Sequence, residues 1–225
     1  MTLFYRVLLN FLTIQKTTFC IMRWQRQVRN LTKHVVTRWY RAPELIFGSA
    51  TYDTSVDLWS AGCVLAEMCT GAPLFQGGNA VEMLVAIIRV LGTPTAEQVH
   101  AMNPNFGEFS VETVQPSSWP AVLNTGAMSA GVDMPYCLHT QAGIASVLSQ
   151  LLVYDPAQRI GAFPALSLSF FDELRDPAAM LDDGRMAAHG HFPPLFNFSE
   201  LERKFSTVTG VTVVGQRSLN VEDNK

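Results

Sequence analysis

Residues 35–62 read VVTRWYRAPELIFGSATYDTSVDLWSAG. Arg38 and Arg41 flank the aromatic pair Trp39-Tyr40 in a tight cationic segment, and Ala42-Pro43-Glu44 turns the chain directly after it. Up to Pro43 the chain has eight Lys or Arg and no acid, a local charge of +8; the remainder has eight Lys or Arg and nineteen acids, or −11. A basic head on an acidic body suggests contact with anions. The alternative for residues 1–30 is an unstructured basic leader. Taken singly, Arg38 also reads as a solvated surface charge, Asp57 as a helix cap and Trp59 as core.

The elements that must position this segment are helical. Residues 54–70 (TSVDLWSAGCVLAEMCT) are apolar nearly all round, which predicts a buried helix. Thr54 with Asp57 three residues on makes a capping-box-like start, and Gly71 a C-terminal stop. Asn79 caps a second helix with Glu82 three residues later, running to Gly92, and Thr95 with Gln98 opens a third after Pro94. Residues 103–133, rich in Pro, Ser and Gly, read as an irregular, surface-wrapping insert. Helix returns over 141–153 and again over 163–175; PPLFNF (193–198) anchors the following loop, and residues 206–225 are polar enough to stay disordered. With no internal repeat and no strand pair, the fold is expected to be mainly α.

Length and composition set outer bounds. At 225 residues and 48% apolar content the chain has one large domain or one and a half small ones, with material for a core. Cys20, Cys63, Cys69 and Cys137 lack C-x-x-C spacing, which argues against disulfide or metal use and fits a reducing cytoplasmic or nuclear setting. The apolar run Val7–Ile14 is too short to span a bilayer and no cleavage site follows it.

RWYRAPE followed about a dozen residues later by DLWSAG resembles the C-terminal lobe of a eukaryotic protein kinase, whose activation segment closes on Ala-Pro-Glu. TRWYRAPE with the long insert is similar to the group of cyclin-dependent, mitogen-activated and glycogen synthase kinases. VLGTPTAEQVHAMNPNF (90–106), FFDELRDP (170–177) and PLFNF (194–198) resemble glycogen synthase kinase-3 (shaggy). The resemblance covers residues 31–200, leaving 1–30 as an unrelated or decayed leader and 201–225 as a tail. It implies a serine/threonine kinase lobe without the β-rich N-terminal lobe. It also implies ATP and Mg as family cofactors, a protein substrate or scaffold as partner, and neither nucleic acid nor membrane.

Residue roles follow from the same resemblance. Thr32 sits where related kinases carry an activation-segment threonine, and His34 falls where the glycogen synthase kinase-3 tyrosine would stand. Thr37 would contact the catalytic loop and favour a Ser/Thr substrate, with Tyr40 on the same surface. Arg38 and Arg41 would face an activation-segment phosphate or acid, since guanidinium forks bind oxyanions bidentately. Ala42, Pro43 and Glu44 would close the segment, with Glu44 paired to Arg159 of DPAQR. Asp57 would hold the catalytic-loop backbone from below, and Trp59 and Gly62 belong to the same helix motif. Phe106 and Phe109 would edge a groove for a scaffold helix; Phe106 and Ser110 stand where the family has tyrosine and lysine.

Kinase chemistry needs a glycine-rich loop, a strand lysine, a catalytic-loop Asp and Asn, and the Asp of D-F-G. The sequence has no G-x-G-x-x-G, no H-R-D and no D-F-G; Thr18-Phe19-Cys20 stands at the D-F-G distance from Glu44. This chain is therefore expected to carry no catalytic or metal-binding residues and no cofactor of its own. Two classes stay open. It is an enzyme fragment whose catalytic loop would precede Met1, or a non-catalytic docking module.

Overall fold

The computed structural model describes residues 38–130 and 141–172, with only the backbone for 125–130 and 141. Among the described residues all regular structure is helical and there is no strand, as expected. A first compact unit runs to Gly161 and a second begins at Ala162. In the first, a 3-10 turn at Arg38–Tyr40 leads to α1 (Pro43–Ile46), α2 (Ser55–Thr70), α3 (Ala80–Leu91), α4 (Ala96–Met102), α5 (Trp119–Ala130) and α6 (Gln141–Leu151). The second unit contains α7 (Ala162–Leu166) and a 3-10 turn at Ser169–Phe171. The expected single helix over 163–175 is thus broken among the described residues, and its last three positions lie outside them. Among the described residues no helix is long and apolar enough to cross a membrane.

Helix α2 is the axis of the first unit. Val56, Trp59, Ala61, Cys63, Leu65, Ala66 and Cys69 are all buried, so the helix has core on several sides. Both α5 and α6 pack against it, and against each other. Gly62 permits the closest approach. A Cβ there would lie 2.9 Å from Leu152 Cδ2 and 3.1 Å from Leu151 Cβ. The helix stops at Gly71, whose φ of 75° is the left-handed conformation that glycine adopts most cheaply.

Its start differs from the sequence expectation. Thr54 already has helical backbone angles and makes no side-chain cap. Asp53 Oδ1 instead accepts the Ser55 N–H at 2.8 Å. A residue whose backbone is helical no longer directs its hydroxyl at the first-turn amides, so the capping role moves one residue upstream. The other two expected starts form. Asn79 Oδ1 accepts from Glu82 N at 2.9 Å, and Thr95 and Gln98 make a reciprocal capping box.

Helix α5 is the other departure. Residues 103–118 are irregular as expected, but Trp119–Ala130 is helical. Proline in the first turn is compatible with a helix, because no intrahelical partner exists for its missing N–H. Leu123 is buried and α5 rests on α2 and α6. Tertiary burial thus outweighs the loop-like composition. The irregular stretch itself is clasped to the end of α3. Thr93 N–H donates to Val114 O at 3.0 Å and Ser117 N–H to Val90 O at 3.0 Å, while Tyr154 Oη donates to Gly92 O at 2.7 Å.

The Gly62 contact yields a stability prediction. Gly62→Val should destabilise the protein by about 1–3 kcal/mol, the usual cost of overpacking a tight contact. It should lower the urea midpoint at unchanged slope. An unchanged midpoint would mean that Leu151 and Leu152 yield without cost.

Candidate substrate-lobe anchor

Proline at the first position of α1 presets the helical φ. That short helix carries Glu44 inward, where it is 1% exposed. Arg159 meets it from 115 residues away. Nη1 donates to Glu44 Oε1 at 2.9 Å and Nη2 to Oε2 at 3.0 Å. The other donors are used as well: Nη1 to Ser55 O at 2.8 Å, Nη2 to Val153 O at 3.0 Å and Nε to Val153 O at 3.3 Å. All five guanidinium N–H groups therefore have acceptors. The guanidinium lies 5.3 Å from the centroid of the Trp59 ring, and Trp59 stacks on Phe75 with centroids 5.6 Å apart. The structure thus brings Ala42, Pro43, Glu44, Trp59 and Arg159 into one buried anchor.

Ahead of the anchor, the Arg38–Tyr40 turn is tied to α2. Tyr40 Oη donates to Glu67 Oε2 at 2.6 Å, and Ser60 Oγ donates to the Tyr40 carbonyl at 2.8 Å. The hydrogen bond to the Glu67 carboxylate, helped by partial burial and the negative charge, pushes the Tyr40 pKa up to about 12. Arg38 donates to the Gly78 carbonyl, and Trp39 Nε1 to Gly77 O at 3.2 Å. Arg41 is half-buried and bonded through its own N–H to Arg38 O at 3.3 Å. Asp57 is half-buried in the first turn of α2. Thr32 and Thr37 lie outside the described residues.

Phe106 and Phe109 meet at the far end of α1, a helix that packs on α3. Phe106 stands edge-on to Phe47 with centroids 4.7 Å apart, and Phe109 does so at 5.5 Å. Asn103 Nδ2 holds the Phe47 carbonyl at 2.9 Å. Phe106 is 41% exposed and Phe109 half-buried, whereas Phe47 is buried. Glu67, Ser60, Phe75 and Phe47 complete these contacts and escaped the sequence reading. Glu67 had a signal: apart from Asp57 it is the only acid in α2.

Among the described residues no group of three His, Cys, Asp or Glu could hold a metal ion. The sequence contains neither a G-x-G-x-x-G nor a D-F-G.

Two variants test the anchor. Glu44→Ala should cost about 3–5 kcal/mol, because it strands a buried guanidinium, while Glu44→Leu combined with Arg159→Met should recover much of that loss. Urea melts of the three proteins decide it; a double variant no better than Glu44→Ala would refute the pairing argument. Tyr40→Phe should cost about 1 kcal/mol. A tyrosine whose folded pKa is raised binds its proton more tightly when folded, so its contribution is full below pH 10 and fades as pH rises toward about 12. The variant should flatten that alkaline loss, leaving the part due to Tyr154, whose pKa burial also raises.

The family model described as the protein kinase domain matches residues 17–171. That is more than half of the chain, and the matched span contains the Glu44–Arg159 pair, the Arg38–Tyr40 turn and both phenylalanines. The chain belongs to the protein kinase domain family.

Proposed function

We propose that this chain carries the substrate-binding lobe of a serine/threonine protein kinase similar to glycogen synthase kinase-3, and that by itself it transfers no phosphate. The observation that carries the reading is the buried Glu44–Arg159 pair, which fixes the end of the Arg38–Glu44 segment against α2. In the protein kinase family this segment presents the protein substrate, and ATP with Mg supplies the phosphoryl group. Here the residues that cradle phosphates and hold the metal have no counterpart in the sequence. The family match begins at residue 17, which supports reading Thr18-Phe19-Cys20 as the altered D-F-G position, with both outer residues changed. A titration with labelled ATP and magnesium should show no saturable binding at millimolar concentration. Saturable, magnesium-dependent binding would overturn the inactive reading.

Exposed Phe106 favours a second role, docking of an amphipathic scaffold helix across the Phe47–Phe106–Phe109 cluster. Helix-in-groove partners place apolar side chains at such sites. Phe109→Ala should weaken binding of an amphipathic scaffold peptide by about 1 kcal/mol or more, measured by calorimetry. Unchanged affinity in a folded variant would discard the docking role.

A further inference from the structure

Residues 107–116 are all exposed except Phe109, which is half-buried. Burial therefore does little to locate them. Among the described residues every hydrogen bond made by 107–116 has Thr93 as its partner. The Thr93 N–H donates to Val114 O at 3.0 Å. Its hydroxyl serves twice: Oγ1 donates to Glu112 O at 2.9 Å and accepts from the Val114 N–H at 2.9 Å.

Thr93 can hold the stretch because its own corner is fixed. The buried Tyr154 donates to Gly92 O at 2.7 Å, and the Gly92 N–H ends α3 on Ile88 O at 2.8 Å. Gly92 also lets the stretch come close. A Cβ there would lie 3.0 Å from Pro116 N and 3.1 Å from Val114 O. One side of the clasp is thus tied into the core, while the other is exposed chain whose hydrogen bonds meet water. Exposed hydrogen bonds with little apolar burial belong to the parts of a fold that open most readily. The next ties on either side are the Phe106 N–H on Asn103 O and Ser117 on the carbonyls of Val90 and Arg89. Phe109 lies inside the span that Thr93 would release.

We infer that the Thr93 hydroxyl is a latch, and that its closure sets Phe109 against Phe47 as the edge on which a helix docks. Thr93 acts through the stretch it holds and is a positioning residue. The inference rests on the docking reading and names the group that controls that same edge. Glu108 and Glu112 are exposed on the latched stretch, so the polar face of the docked helix would be basic.

The test uses the full chain and, as probe, a blocked amphipathic peptide of Leu, Ala and Lys with leucines three and four residues apart. Thr93→Val keeps the branched shape and loses both hydroxyl bonds, whereas Thr93→Ser keeps the hydroxyl. In Thr93→Val the Val114 amide should exchange its hydrogen about tenfold faster or more, while the Gly92 and Val99 amides keep their rates. Peptide binding should weaken about fivefold or more, and Thr93→Ser should restore both readouts. Unchanged exchange at Val114 overturns the latch. Faster exchange with unchanged peptide affinity overturns the positioning role and leaves the docking reading standing. No binding by the wild-type chain removes the docking reading, and the positioning role with it. Faster exchange at Gly92 and Val99 as well marks a general loosening of the fold and also overturns the inference.

Discussion

The first compact unit depends on one desolvated ion pair. Glu44 and Arg159 are buried together. Removing two charges from water costs several kcal/mol per ion, and only close geometry with full hydrogen bonding repays it. Arg159 meets that condition, with five donors on Glu44, Ser55 O and Val153 O. The pair is better understood as a locator than as a source of stability. It accepts one arrangement of α1, the start of α2 and the segment after α6, and penalises every other.

That locator works because α2 gives it something rigid to act against. Trp59 receives the guanidinium on its ring and Phe75 stacks beneath it. Gly62 lets Leu151 and Leu152 close on the same helix. On the same helix, Glu67 accepts from the Tyr40 hydroxyl and Ser60 donates to the Tyr40 carbonyl. One helix therefore anchors the turn at Tyr40 and, through Arg159, the helix that follows it. Such a double anchor holds the Arg38–Glu44 segment in one register against α2.

The outward features have a different character. Arg38 and Trp39 reach the diglycine before α3, and Phe106 leans on buried Phe47 while keeping a face to solvent. Neither group is needed to fill the core. Both are held in place by elements whose own positions the core determines.

The sequence by itself determined the helical class, the family motifs and most helix ends. These are local: Asn79 with Glu82, Thr95 with Gln98 and Gly71 act within a turn, and an all-round apolar stretch such as Ser55–Thr70 has nowhere to go but inside. The meeting of Glu44 with Arg159 was legible only through resemblance, since nothing in spacing brings residues 115 apart together. Tertiary structure alone decided three matters. It made Trp119–Ala130 a helix, because burial against α2 and α6 outweighs a composition rich in loop formers. It moved the side-chain cap of α2 to Asp53, because capping follows the backbone angles of Thr54 rather than its chemistry. It chose Glu67 for Tyr40 and Phe47 for Phe106, because partners across a fold are selected by proximity in space, which no local pattern encodes.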